Sequence, residues 1–258
     1  MSKTVLACNN VSVGYKHGDH AVYVVDGIDA SLHCGELVAL IGKNGAGKST
    51  LLRTLSAFQK PLCGTVYYSE RNVEELSANE IAKEVSVVLT ANDPAPLTVR
   101  EIVSLGRTPY TNFFGRMTAE DNNAVDNALE IMGIRSLENR KATTLSDGER
   151  QKCMIAKALA QETPLMLLDE PTAFLDFTSK VRLLRMLKQL AGEKKKAILV
   201  STHDIELAIK LADRIWLLSD GAFNGGTVDE LAESGALQNF VCDAGIRYDR
   251  TEKRIEII

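Results

Sequence analysis

The sequence predicts an α/β fold built on a mainly parallel β-sheet, and two observations support this prediction. Short apolar or β-branched runs with the length of buried strands recur along the chain. They are Val5–Val13, Leu37–Ile41, Thr65–Tyr68, Val85–Leu89, Leu165–Leu168, Ala197–Val200 and Arg214–Leu218. Helical patterns lie between them, including Lys48–Phe58, Thr98–Leu105, Ala119–Met132, Asp147–Ala160, Lys180–Ala191 and Asp204–Leu211. Strands that alternate with helices are typical of a parallel sheet.

The stretch 91–161 interrupts this alternation. After the loop that contains Pro94 and Pro96, it carries several helical patterns and no convincing strand. We therefore expect a helical subdomain inserted into the α/β core. The 258 residues are at the upper end of what one α/β domain usually occupies, so the prediction is a single domain over residues 1–258.

Composition excludes several classes of protein. The 30 Lys and Arg against 34 Asp and Glu give a net charge of −4, which does not favour a nucleic-acid-binding face. No apolar run approaches the roughly 18 residues of a membrane-spanning helix, and the first ten residues lack a cleavage pattern. The five cysteines are scattered, which is typical of reduced thiols in a cytosolic protein. His17 and His20 are only a weak metal signal and are read as surface residues.

A phosphate-binding loop follows the predicted strand Leu37–Ile41. Its residues match G-x-x-x-x-G-K-[ST] and are Gly42, Lys43, Asn44, Gly45, Ala46, Gly47, Lys48 and Ser49. Glycines let backbone amides curl around phosphate oxygens at the start of a helix. We expect Lys48 to reach the β- and γ-phosphates, the Ser49 hydroxyl to bind the Mg²⁺ that bridges them, and Thr50 to add a phosphate contact.

Two carboxylates complete the predicted site. Asp169 and Glu170 directly follow the apolar run Leu165–Leu168. Because adjacent side chains on one strand point to opposite sides, we expect Asp169 to bind the metal and Glu170 to activate the attacking water. A lone Asp-Glu pair is also common at a solvated strand end. His203 follows the next predicted strand and could reach the γ-phosphate, although alone it reads as part of a helix start.

These features indicate a P-loop NTPase, a class that still includes kinases, GTPases and many motors. The segment Leu145–Gln151, LSDGERQ, resembles the LSGGQ-R-Q signature of ABC ATPases. Tyr15, the D-loop Ala173–Asp176 and His203 fall in the family's order, so the resemblance spans nearly the whole chain. Singly, Tyr15 is explained as a strand residue and Ser146 as a helix cap, but their joint order favours the family.

The resemblance implies a RecA-like P-loop NTPase core with additional N-terminal antiparallel β elements. It also implies a head-to-tail homodimer that sandwiches two ATP molecules. In such a dimer Tyr15 stacks on adenine, Ser146, Gly148 and Glu149 face the partner's nucleotide, and Asp176 lies in the D-loop. Glu170 and His203 are the expected catalytic residues. The implied partners are integral-membrane permease subunits, which the ATPase would bind at the cytoplasmic face of the membrane. An extracytoplasmic substrate-binding protein would be an indirect partner.

A narrower likeness suggests the cargo. The segment Thr98–Asp121 is similar to the same region of ATPases that serve iron-siderophore, haem and cobalamin importers. The resemblance therefore implies ATP-driven import of a metal chelate. The short tail that ends at Ile258 also fits that group, because sugar-importer ATPases usually append a regulatory domain.

The chain departs from the family pattern at two motifs. Thr90 stands where the family has a Mg²⁺-binding Gln, so Thr90 would reach the ion through water, or Asn92 would supply an amide. Asp147 and Glu149 replace a Gly and a Gln of the signature. An acidic pair there should oppose the γ-phosphate and keep idle hydrolysis low, although Asp is favoured at a helix N-terminus.

Two other functions compete with this interpretation. A soluble ABC ATPase that acts on ribosomes or DNA usually carries tandem ATPase domains or a long coiled coil, and the sequence has neither pattern. A P-loop small-molecule kinase would need an acceptor site and a lid, and it would have no use for Leu145–Gln151.

Overall fold

The computed structural model describes residues 3–18, 20–89, 96–111, 115–242, 246–249 and 254–257. Its strands are β1 (Thr4–His17), β2 (His20–His33), β3 (Leu37–Gly42), β4 (Cys63–Tyr68), β5 (Arg71–Asn72), β6 (Val85–Val88), β7 (Leu165–Leu168), β8 (Ala197–Thr202), β9 (Arg214–Ser219), β10 (Ala222–Gly226), β11 (Ile246–Asp249) and β12 (Arg254–Ile257). Its α-helices are α1 (Lys48–Leu55), α2 (Ala78–Glu84), α3 (Val99–Ser104), α4 (Ala119–Ile131), α5 (Asp147–Ala160), α6 (Phe177–Lys194), α7 (Ile205–Leu211), α8 (Val228–Glu233) and α9 (Ala236–Val241).

The central sheet is mainly parallel, as predicted. Its six strands run in the order β10-β9-β3-β8-β7-β6, and only β10 is antiparallel to its neighbour. All residues of β3, β7 and β8 are buried, because helices or a second sheet cover both faces. The carboxyl ends of these three strands therefore lie at the same edge of the sheet.

A second, antiparallel sheet has the strand order β2-β1-β4-β5. Its apolar side chains pack with α1 against one face of the central sheet, where they meet Leu165 and Leu167 of β7. β2 was not predicted from the sequence. Several register shifts interrupt its pairing with β1, so its buried positions do not alternate with exposed ones.

The opposite face of the central sheet is covered by helices, including α3, α4 and α5, which pack over Met166 and Leu168 of β7. Each of these three helices begins with a capping box, in which a Ser or Thr and an acidic residue three positions later bond each other's backbone amides. Within the described residues 96–111 and 115–160 no strand is assigned. The fold class, with its inserted helices and N-terminal antiparallel strands, is confirmed.

Several sequence-based boundaries differ from the structure by a few residues, among them those of α6 and β6. α6 begins at Phe177 rather than Lys180, because Asp176 caps it by accepting a hydrogen bond from the Ser179 amide. β6 ends at Val88, one residue before the predicted end. In the described part of the chain, no helix has the length and apolar character to cross a membrane.

Candidate nucleotide site

The phosphate-binding loop joins β3 to α1, and its glycines allow a backbone that other residues resist. Gly45 and Gly47 have φ values of +80° and +98°. A Cβ atom on Gly47 would lie 2.6 Å from Val24 Cγ1, a distance that side chains do not tolerate. The amides that open α1 face the same loop and carry the partial positive charge of a helix N-terminus. The loop is thus shaped to hold an anion.

Lys48 supplies a buried cation to this loop. Its side chain is 6% exposed, and its Nζ donates to the carbonyls of Gly42 at 2.8 Å and Lys43 at 3.3 Å. Burial lowers the Lys48 pKa, while the carboxylates of Glu170 and Asp169 act in the opposite direction. The Glu170 Oε1 atom lies 4.0 Å from Lys48 Nζ. The structure therefore brings the predicted lysine and the predicted catalytic carboxylate together.

Asp169 is held in place by a residue that the sequence analysis missed. The Ser201 hydroxyl donates to Asp169 Oδ1 at 2.7 Å and accepts a hydrogen bond from the Glu170 amide at 2.8 Å. Ser201 is fully buried near the end of β8. The only signal in the sequence is that polar Ser201 and Thr202 follow four apolar residues on one strand. One hydroxyl thus fixes both residues that follow β7.

Glu170 lies on a turn and not on a strand. The alternation of side chains along a strand is therefore not what separates it from Asp169, contrary to the prediction. β7 ends at Leu168, and Glu170 has a φ value of +47°, which is uncommon for a residue other than glycine. Such strained residues cluster at functional sites. The turn places Glu170 Oε1 2.5 Å from His203 Nε2, at the end of the neighbouring strand β8.

Tyr15 reaches the loop from β1. Its hydroxyl lies 2.7 Å from the Thr50 Oγ1 atom, in the first turn of α1. Thr50 is buried, whereas Tyr15 is 48% exposed. The hydrogen bond therefore holds an accessible aromatic ring at the edge of the loop. Thr50 makes this bond in addition to any phosphate contact, which stays a prediction.

The signature segment opens α5. Exposed Ser146 caps the helix: its hydroxyl accepts from the Glu149 amide at 3.3 Å and donates to Glu149 Oε2 at 3.0 Å. These bonds to Ser146 hold the Glu149 pKa below its usual range. Arg140 Nη1 lies 3.6 Å from Glu149 Oε1, and Arg150 pairs with Asp147. Both acidic residues of the segment therefore have local cationic partners.

The D-loop packs against the signature segment of the same chain. A Cβ atom on Gly148 would lie 3.2 Å from the Leu175 Cδ2 atom, so the glycine permits a close approach. Asp176 caps α6 by accepting from the amide of Ser179 at 2.9 Å and from its hydroxyl at 2.8 Å, and these bonds lower the Asp176 pKa. Thr90 and Asn92, the two candidates for the missing Mg²⁺ ligand, lie outside the described residues.

Comparisons with known proteins agree with this geometry. A family model described as ABC transporter matches residues 25–173. The iron(3+)-hydroxamate import ATP-binding protein of Bacillus subtilis is 37% identical over 254 residues, which cover 97% of this chain and 93% of that protein.

Two solved structures are similar over most of the chain. One is an inward-facing conformation of a protein assigned as a metal-chelate type ABC transporter. It has a TM-score of 0.79 and 27% identity, and the match covers 92% of this chain and 88% of that one. The other is a dimeric bacterial ABC transporter cassette, with a TM-score of 0.76 and 29% identity over 86% of this chain and 98% of that one. With a family model that matches more than half of its residues, the chain belongs to the ABC transporter family and is one of its ATPases.

Proposed function

We propose that the chain is the ATP-hydrolysing subunit of an importer that takes up an iron-siderophore or a related metal chelate, such as haem or cobalamin. The observation that carries the ATPase part is the cluster of Lys48, Glu170 and His203 beside the phosphate loop. The metal-chelate part is supported by the relative that is named for iron(3+)-hydroxamate import and by the metal-chelate type structural neighbour.

In this proposal the loop amides and Lys48 hold the β- and γ-phosphates, while the accessible ring of Tyr15 stacks on adenine. The Glu170 carboxylate accepts a proton from the water that attacks the γ-phosphate. His203, whose Nε2 atom lies 2.5 Å from Glu170 Oε1, would donate a hydrogen bond to that carboxylate and so orient it. Lys48 balances the negative charge that gathers on the transferred phosphate.

The donor atoms at the site suit Mg²⁺. Ser49 offers an exposed hydroxyl, and Asp169 offers a carboxylate that Ser201 already orients. Hard oxygen ligands of this kind, together with nucleotide phosphates and water, are what Mg²⁺ prefers. The ion would neutralise phosphate charge when bound. We infer that Ser49 and Asp169 are its protein ligands, with Thr90 as a third candidate.

We further propose that two copies form a head-to-tail dimer around two ATP molecules. Exposed Ser146 at the start of α5, with Gly148 and Glu149, would face the γ-phosphate bound by the second copy, and Asp176 would lie at the junction. Support comes from the dimeric cassette that the chain resembles. The helices within about 91–161 would then form a subdomain that carries the signature segment. That subdomain would be part of a single ATPase domain over residues 1–258.

The dimer would dock on permease subunits at the cytoplasmic face of the membrane, and a substrate-binding protein outside the membrane would act only through that permease. The test is affinity purification of the tagged full-length chain from detergent-solubilised membranes, with identification of its partners. We expect an integral-membrane permease that stimulates ATP hydrolysis when the two are mixed. Recovery with ribosomes or DNA and without a membrane protein would overturn the importer assignment.

A further inference from the structure

The short 3₁₀ helix Leu105–Tyr110 packs on the C-terminal end of α5. The signature segment lies at the opposite, N-terminal end of the same helix. Its Arg107 is 3% exposed and makes three side-chain hydrogen bonds. Nε donates to Asp121 Oδ1 at 2.9 Å, and Nη1 donates to the Ala160 carbonyl at 2.8 Å and to Glu162 Oε2 at 2.7 Å. Ala160 is the last residue of α5, where helix carbonyls lack partners within the helix. Arg107 therefore satisfies the end of α5 directly.

Two neighbours of Arg107 hold the same helix end. The Tyr110 hydroxyl donates to the Gln161 carbonyl at 3.0 Å, and the Arg107 guanidinium stacks 4.2 Å from the centre of the Tyr110 ring. A Cβ atom on Gly106 would lie 2.3 Å from the Lys157 carbonyl oxygen, so only glycine permits this approach. These residues act on the last turn of α5 together.

The segment 161–163, which follows the last turn of α5 and is here called the joint, is also attached to the central sheet. Gln161 Nε2 donates to the carbonyls of Ala82 at 2.6 Å and of Val85 at 3.1 Å, where β6 begins. Buried Thr163 then donates to Ser86 Oγ at 2.9 Å, two residues before β7 starts. The segment that joins α5 to β7 is thus bonded both to the inserted helices and to the sheet that carries Asp169 and Glu170.

Because α5 is long, the position of Ser146 at its N-terminus depends strongly on how the helix is oriented at Ala160. A helix of 14 residues is about 21 Å long. A tilt of about 10° at the Ala160 end would move Ser146 by about 4 Å, which exceeds a hydrogen-bond length. A small change in the orientation of α5 at the joint therefore becomes a large displacement of the signature segment.

We propose that Gly106, Arg107 and Tyr110 are positioning residues that form the pivot of α5 and set where Ser146 meets the nucleotide held by a second copy. This inference rests on the proposed dimer and deepens it. It gives residues of the segment Thr98–Asp121 a role in that same reaction, although the described part of this segment takes no part in the nucleotide site above.

The test measures ATP-driven dimerisation of the full chain in a Glu170→Gln background, by sedimentation. Arg107→Gln should weaken the dimer about tenfold, as expected for loss of charge-assisted hydrogen bonds, and Tyr110→Phe should weaken it less. Arg107→Lys should restore part of the loss. Binding of a fluorescent ATP analogue to the monomer should be unchanged, because the phosphate loop does not touch the pivot.

The matched control is Arg100→Gln. Arg100 also lies among the inserted helices and makes two ion pairs at 2.7 Å, with Asp126 and Glu138, but neither partner is on α5 or beside β7. It should lower thermal stability without weakening the dimer. Equal weakening by Arg100→Gln and Arg107→Gln, or none with Arg107→Gln and Tyr110→Phe, would overturn the pivot.

Hydrogen exchange separates the pivot from the proposed dimer. In monomers, Arg107→Gln and Tyr110→Phe should speed exchange of the α5 amides, while Arg100→Gln should leave them protected. If the Glu170→Gln parent does not dimerise with ATP, the proposed dimer fails, and these exchange rates decide the pivot alone. Unchanged α5 exchange in both pivot variants would overturn it.

Discussion

The Nε2 atom of His203 lies 2.5 Å from Glu170 Oε1, although the two residues follow different strands, β8 and β7. This pair fixes one oxygen of the carboxylate beside Lys48. The position of this pair predicts that Glu170 accepts the proton of the attacking water. It also predicts that His203 affects turnover by orienting the Glu170 carboxylate.

Glu170→Gln removes the base and keeps its shape. We expect ATP binding and ATP-driven dimerisation to persist while turnover falls at least about a hundredfold, which is typical for loss of a general base. The measurement is steady-state ATPase activity beside nucleotide binding. Lys48→Ala is the contrasting variant, because loss of the loop cation should abolish binding itself. Near-normal turnover in Glu170→Gln would contradict the assigned role.

His203→Ala should lower turnover because the Glu170 carboxylate loses the donor that orients it. His203→Gln, which keeps a hydrogen-bond donor, should retain more activity than His203→Ala. The measurement is kcat together with the affinity of the monomer for ATP, which should not change in either variant. If both variants lose the same activity, a donor to Glu170 is not what His203 provides.

Ser201→Ala should reduce both stability and turnover. The change removes the donor to Asp169 Oδ1 and leaves the Glu170 amide unpaired, at a cost of about 1–3 kcal/mol. Ser12→Ala is the matched control, because Ser12 is also a buried serine whose hydroxyl donates to a carboxylate, that of Asp26, and accepts from a backbone amide, that of Gly27, in the antiparallel sheet. Thermal unfolding and kcat should both fall for Ser201→Ala, but only stability should fall for Ser12→Ala. Unchanged kcat in Ser201→Ala would show that the hydroxyl has no part in placing the carboxylates.

The double variant Asp147→Gly/Glu149→Gln should raise basal ATPase activity and ATP-driven dimerisation. In the structure the Ser146 hydroxyl donates to Glu149, so it is not offered to a phosphate, and both acidic residues add negative charge to the segment. Weakening that bond and removing the charges should favour a γ-phosphate at this surface. No rise in the basal rate or in dimer formation would reject the hypothesis that these residues keep idle hydrolysis low.

Lys196 predicts a pH dependence of stability. Burial lowers its pKa from 10.5 to about 8. Between these values the folded state has lost the proton that the unfolded state still binds, so the free energy of unfolding should rise with pH. Urea unfolding at about pH 7 and about pH 9.5 should show the parent gaining about 2 kcal/mol relative to Lys196→Met. A parent-to-variant difference that stays constant with pH would contradict the lowered pKa.

The parts of the fold that could be predicted are those with a regular local pattern. β7 and α5 were predicted with their observed bounds, because four consecutive apolar residues and a capped amphipathic helix are legible without tertiary contacts. β2 was missed, since the shifts in its pairing with β1 disrupt the alternation by which a half-buried strand is recognised. Short α2 was missed as well, and none of its residues is buried.

By itself the sequence determined the residues of the nucleotide site whose chemistry depends on neighbours in the chain. The phosphate loop needs glycines and Lys48 at fixed spacing, and Asp169 and Glu170 need a strand in front of them. Tertiary structure alone decided how Ser201 holds Asp169, how His203 meets Glu170, and how Arg107 holds the end of α5. These contacts join residues that only the parallel sheet and its covering helices bring together, and hydrogen bonds between distant segments leave no periodic trace in a sequence.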